Sequence, residues 1–184
     1  MAVTKTRSTA VKISKPYALL ITPFSGDTLG TKTYQLQDVV RDTTSLIPDD
    51  NTVNDIENEY SDEPILSNVI LGKTQFAATV GDVQKDLVKD LIGFTVDATS
   101  GKAYAPASYS DKYAKIDIVL KKGSGYVGYV CPKVLLNGKT TIESLSSGMA
   151  QIPLAGTAYS TDITDGTETY FSPWYIDYEY TMPS

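Results

Sequence analysis

Histidine is absent from this 184-residue chain, and cysteine occurs once. Without histidine there is no Ser-His-Asp or Cys-His nucleophile system. Histidine-ligated zinc is excluded too, and Cys131 alone cannot build a thiolate metal site. A lone cysteine forbids an internal disulfide, so the framework of a small secreted domain is missing. Cys131 follows Tyr129 and Val130 in an apolar run, which predicts a buried, inert thiol. No apolar run approaches the ~20 residues that span a bilayer. The N-terminal stretch Met1-Ala2-Val3-Thr4-Lys5-Thr6-Arg7 lacks the apolar core of a secretory signal. The chain is therefore expected to be made in the cytosol, with no membrane partner as a monomer. Basic residues are the minority, 16 Lys+Arg against 22 Asp+Glu, for a net charge of −6. That balance excludes a general nucleic-acid coat, whose affinity comes from Lys and Arg neutralising phosphates. It does not exclude a surface that nucleic acid slides past.

The length predicts a single domain spanning 1–184. At this size folding buries roughly 70% of the unfolded chain's surface, enough for a core without metal or disulfide. The charge is unevenly spread. Residues 1–20 carry Lys5, Arg7, Lys12 and Lys15 and no acid, a basic arm over about 1–15. Residues 38–63 carry nine acids against Arg41 alone, a local charge of −8. The remainder is close to neutral.

Periodicity mostly reads as two. Short strands are predicted at Tyr17–Ile21, Thr31–Val40, Leu66–Val80, Lys115–Lys122, Tyr126–Val130, Pro132–Leu136, Ala150–Leu154 and Tyr170–Tyr180. In Lys115–Lys122, Ile116, Ile118 and Leu120 point one way, and Lys115, Asp117, Val119 and Lys121 the other, as in a half-buried strand. One helix is predicted over Asp82–Ile92, with Val83, Leu87, Val88 and Leu91 on one stripe and Lys85, Asp86, Lys89 and Asp90 opposite. Asp82 suits its N-cap and Gly93 its C′ position. Thr140-x-x-Glu143 fits a capping box for one further turn. Between Asp42 and Pro64 a long polar, acidic loop is predicted. These elements favour an antiparallel β-sandwich or β-barrel with one flanking α-helix and a long acidic loop.

Three motifs carry competing readings. Gly123-Ser124-Gly125-Tyr126-Val127-Gly128 matches G-x-G-x-x-G. The dinucleotide fingerprint requires a helix to start there, but Tyr129-Val130-Cys131-Pro132 continues as a β run, so a hairpin turn is predicted. Asp49-Asp50-Asn51-Thr52-Val53-Asn54-Asp55 has the composition of a calcium loop, but an EF-hand needs Gly at position six and Glu at position twelve. Neither Asp49 nor Asp50 as the start supplies them. Paired carboxylates are plentiful, yet they cluster in one polar loop with no apolar neighbour to separate a proton donor from its surroundings. Neither catalytic residues nor a cofactor or metal site is predicted. The thirteen tyrosines suit either a carbohydrate-binding face or subunit interfaces.

One run of motifs resembles a known family. Asp55-Ile56-Glu57-Asn58-Glu59-Tyr60-Ser61-Asp62-Glu63-Pro64-Ile65 leads to a strand, then Phe76–Val80, then the predicted helix ending Asp90-Leu91-Ile92-Gly93. Pro132–Leu136, Glu143-Ser144-Leu145 and Gly148–Ala158 follow in order. This order is similar to the tail tube (major tail) proteins of long-tailed bacteriophages, over roughly residues 10–180. The aromatic stretch Tyr170–Tyr180 has no counterpart there. The resemblance implies a β-sandwich flanked by one helix, a fold shared with the tube of the type VI secretion system. It implies a virion protein of the phage tail, made in the bacterial cytoplasm. Six copies would form a ring, rings would stack into a tube, and DNA would pass through the lumen without specific binding. Its partners would be other copies and other tail proteins. The assembly contacts expected on this reading are Lys5, Arg7, Lys12 and Lys15 of the arm, with Asp49, Asp50, Asp55, Glu57, Glu59, Asp62 and Glu63 of the loop. Val83, Leu87 and Leu91 would pack the helix on the sandwich. A terminator or baseplate tube protein, or a monomeric carbohydrate-binding β-sandwich, are the alternatives.

Overall fold

The computed structural model describes residues 16–36, 39, 42–58, 61–70, 72–81, 85–108, 110–137 and 151–183, with backbone alone for 52–58 and 61–70. The basic arm, Val83, Glu59 and the Thr140–Glu143 box lie outside the described residues. Four strands come first: β1 (Pro16–Ser25), β2 (Thr28–Leu29), β3 (Tyr34–Leu36) and β4 (Ser45–Pro48). β5 (Thr52–Asn58), β6 (Ser61–Ile70) and β7 (Thr74–Val80) follow. A helical segment, α1 (Lys85–Leu87) running into a π turn (Val88–Ile92), leads to β8 (Thr95–Val96) and β9 (Ala103–Tyr104). Two long strands, β10 (Lys112–Lys122) and β11 (Gly125–Leu136), precede β12 (Ile152–Ala158), β13 (Thr161–Thr164), β14 (Thr169–Ser172) and β15 (Tyr175–Tyr180).

The protein is mainly β and its described strand pairs are antiparallel. Nine strands form one open sheet in the order β2-β1-β10-β11-β12-β7-β4, with β3 also pairing β1 and β15 also pairing β11. The path does not close into a barrel. β11 is a single 12-residue strand rather than the two predicted. Val130 is the last residue paired with β15 and Val134 the first paired with β12. Pro132 sits between them, opposite a register shift in β10. Proline cannot donate to a ladder, so it is tolerated at such an irregularity. The aromatic C-terminal run is likewise two strands, β14 and β15, broken at Pro173-Trp174.

The turn from β10 to β11 is Gly123-Ser124, with Gly123 at φ 57° and Lys122 opposite Gly125. A two-residue loop with positive φ at its first position matches strand twist, so the G-x-G-x-x-G match is a hairpin.

One face of the sheet holds the main core, which joins Leu19, Ile21, Leu36, Phe76, Val80, Ile116, Cys131, Val134 and Ile152. The helical segment closes it with Leu87, Val88, Leu91 and Ile92, all buried, while Lys85, Asp86 and Lys89 face solvent. That is the predicted orientation, but the helix is shorter and ends differently. Its last five residues widen into a π turn. Gly93 stops it at φ 82°, donating to the Lys89 carbonyl, and Phe94 donates to that of Val88. A left-handed residue at this position favours glycine.

The other face of β10 differs from expectation. Asp117 and Val119 are buried, not solvated. A smaller cluster of Ala18, Leu20 and Val119 is covered there by Tyr126, Tyr180 and Met182. The C-terminal segment therefore does for this face what the helix does for the other.

The predicted acidic loop is not a loop. Its first part is the edge strand β4, paired with β7. Its second part, with the strand beyond, is the β5–β6 hairpin, a separate two-stranded sheet.

Candidate assembly surfaces

The acidic hairpin is built from its root outward. Asp49 donates its backbone N–H to the Lys73 carbonyl at 2.7 Å, and its carboxylate accepts from the Gln75 amide at 3.1 Å. Gly72 donates to the Asn51 side chain at 2.9 Å. A Cβ on Gly72 would lie 1.9 Å from the Asp49 carbonyl oxygen, so only glycine allows the two strands to close here. Asp49 is thus a clamp at the root, and Asp50 is its exposed neighbour.

Above the root, register pairs Val53 with Val69, Asp55 with Ser67 and Ile56 with Leu66. The ladder then slips, and Asn58 pairs with Ser61. Glu57 therefore stands opposite the irregular stretch Asp62–Ile65, which contains Pro64. Proline accounts for the slip, since it has no N–H to offer. The slip brings Glu57, Asp62 and Glu63 to the distal end of the hairpin, with Asp55 nearer the middle. No Lys or Arg lies between 52 and 70. The structure thus gathers Asp55, Glu57, Asp62 and Glu63 and sets Asp49 apart at the root.

A second surface is basic and was not foreseen. Lys32, Lys89 and Lys112 line a cleft of about 340 Å³ with Phe24 and Asp90. Lys32 bridges Asp86 at 2.6 Å and stands 4.8 Å from the centre of the Tyr34 ring. This pairing raises the Lys32 pKa and lowers that of Asp86. The Tyr34 hydroxyl donates to Asp90. Burial, then this bond, raises the Tyr34 pKa. Gly30 shapes the rim: its N–H reaches the Pro23 carbonyl at 2.9 Å, and a Cβ there would lie 2.5 Å from that oxygen.

A third surface is aromatic. The β13–β14 hairpin is its own two-stranded sheet. With Tyr175 it walls an open cleft of about 710 Å³ containing Ile163, Tyr170 and Phe171. Phe171 is 75% exposed. The Tyr170 hydroxyl donates to Glu168 at 2.5 Å, which raises its pKa.

One buried polar group touches none of these surfaces. Asp117, 4% exposed, accepts from Tyr180 at 2.6 Å and from Lys115 at 2.8 Å through one oxygen. Its other oxygen has no partner among the described residues. Burial, then this hydrogen bond, raises the Tyr180 pKa. Burial, with the nearby Asp117, pushes the Cys131 thiol up to about 12, so the thiol is protonated at neutral pH and held in the core.

Among the described residues no group of three or more acids or cysteines could hold a metal ion. No described helix is long and apolar enough to cross a membrane. The lysine cleft joins residues far apart in the chain, which no local period links. The exposed aromatics were legible as a tyrosine-rich stretch, but not as a projecting hairpin. No protein-family model matches the chain, and a search of curated proteins returns no match.

Proposed function

We propose that the chain is a structural virion protein, a phage tail tube subunit that self-assembles into stacked, hexameric rings through which DNA passes. The observation that carries this reading is the β5–β6 hairpin, an acidic element that forms a two-stranded sheet of its own beside the nine-stranded one. A hairpin of two strands is marginal on its own; against a neighbouring copy it becomes an assembly contact. Open sheet edges, a hazard for a monomer, are an asset for a ring. Heterologous contacts generate closed rings or open filaments, and an acidic channel repels phosphate. The reading requires no catalysis, cofactor or metal. Its partners are other copies, other tail proteins and, in transit, DNA; its location is the virion tail.

The test is electron microscopy of the purified full-length protein, with a variant in which residues 52–70 are replaced by a tight turn. Wild-type rings or tubes are expected, with a folded, monomeric variant. Tubes of normal length from the variant would sink the reading, and discrete rings that never elongate would point to a terminator. The aromatic cleft at Tyr170, Phe171 and Tyr175 supports a second reading, a carbohydrate-binding monomer. A monodisperse 20 kDa wild-type species that binds glycans would favour it.

A further inference from the structure

The acidic hairpin and the lysine cleft are separate surfaces of one chain, and their charges are opposite. Three lysines, Lys32, Lys89 and Lys112, line the cleft, and Lys133 stands 5.9 Å from the centre of the Phe24 ring. Three aspartates lie beside them: Asp86, Asp90 and, next to Lys112 in the chain, Asp111. Asp86 is engaged by Lys32 and Asp90 by the Tyr34 hydroxyl. Neither Lys89 nor Lys112 is in an ion pair with another described residue. The cleft therefore keeps a positive excess, with the Phe24 ring as an apolar floor.

The register of the sheet places both surfaces on the same rim. Pro23 pairs with Ala114, Ala114 with Val134, Val134 with Ala158, Ala158 with Thr74, and Thr74 with Pro48. The cleft lies at the Pro23 end of this row, and the hairpin root, Asp49 and Gly72, at the Pro48–Thr74 end. Four strand intervals separate Pro23 from Thr74, roughly 20 Å in a flat sheet. A seven-residue strand such as β5 reaches about 23 Å from its root, far enough to cross to an adjoining molecule.

We propose that the lysine cleft is the socket for the acidic hairpin of a second copy of this chain, with Asp62 and Glu63 of one molecule meeting Lys89 and Lys112 of the next. The inference rests on the assembly reading and names its docking surface. Charge complementarity selects the occupant: the five acids of 52–70 are unopposed in their own segment, and the lysines lining the cleft outnumber its one lining acid, Asp90. Each contact is individually weak and salt-screened, which suits a contact repeated many times around an assembly.

Lys89→Glu with Lys112→Glu in the full chain tests the socket, and Asp62→Lys with Glu63→Lys tests the plug. Either double variant is expected to raise the protein concentration for half-assembly about tenfold or more at low salt, from two lost pairs and new like-charge contacts. Mixing the two restores co-assembly. A second measurement does not depend on tube formation. Lys112→Cys mixed with Asp62→Cys should give a bismaleimide-linked dimer, while buried Cys131 stays unreacted. If wild-type rings form, but the charge variants assemble unchanged and the cysteine pair gives no dimer, the socket is wrong and the assembly reading stands. A wild-type protein that stays monomeric in low salt overturns both.

Discussion

β7 and β6 are neighbours in sequence, separated by three residues, 71–73, and they are held in place in different ways. In β7, Thr74, Phe76, Ala78 and Val80 are buried and alternate with more exposed residues. It is paired on both sides, by β12 and β4. β6 pairs with β5 and, among the described residues, with no other strand. β7 contains no charged residue, whereas the hairpin segment 52–70 has five acids and no base. Burial and pairing on both sides therefore hold the one, and the ladder between β5 and β6 and the clamped root at Asp49 hold the other. Free energy of folding is concentrated in strands like β7. The hairpin can be given over to contact with another molecule at little cost to the monomer.

The strongest way to break this contrast is to damage the core side. Phe76 is 1% exposed and Leu87 equally so, and truncating a buried Leu or Phe to alanine costs about 2–5 kcal/mol. Phe76→Ala and Leu87→Ala should each lower the denaturation midpoint of the monomer accordingly in urea titrations. If Leu87→Ala left the midpoint unchanged, the helical segment would not close the core as described. A smaller effect is expected on the second face. Tyr180→Phe removes the hydroxyl bonded to Asp117, leaving that buried carboxyl group with Lys115 alone. Loss of a hydrogen bond to a buried polar group costs about 1–3 kcal/mol. The same titration should show that loss, and an unshifted midpoint would mean that the C-terminal segment does not depend on Asp117 for its seat. Keeping the ring matters to this comparison, because Tyr180 lies against Gly128, where an added Cβ would fall 2.3 Å from the ring.

The parts of this fold that were legible in the sequence are those set by a local period or a local turn. Lys115–Lys122 as a strand, the Gly123-Ser124 turn and the Leu87–Leu91 stripe could be read from a few consecutive residues, because alternation and helical spacing report element type, although both faces of Lys115–Lys122 prove to be covered. Three things could not be read that way. Asp117 looks like a solvent-facing strand residue until Tyr180, 63 positions later, is folded over it. The acidic run 52–63 looks like a loop because five acids and Pro64 suppress the usual strand signal; only pairing with the more apolar Ile65–Ile70 makes it a hairpin. The lysine cleft draws on β1, the helical segment and β10, so its charge sum exists only in the tertiary structure. The candidate contact residues were half legible: the acids stood out as a block, but the clamp role of Asp49 required the root geometry around Gly72.

The smallest expected effect is the one that separates the two regions most cleanly. Neutralising the distal acids as Asp62→Asn with Glu63→Gln keeps their size and removes their charge. Surface substitutions away from core, caps and strained backbone usually fall within about 0.5 kcal/mol. The urea midpoint of the monomer, measured at a salt concentration high enough to prevent association, should therefore stay within that margin. Assembly at low salt should weaken, because the neutralised pair can no longer meet a basic surface. A loss of monomer stability comparable to that of Leu87→Ala would instead make the hairpin part of the cooperative core, packed against the sheet through contacts of its own, and the contrast between β6 and β7 would disappear. A stable monomer with undiminished assembly would keep the contrast and move the docking role from the acids to the apolar residue pairs Val53–Val69 and Ile56–Leu66.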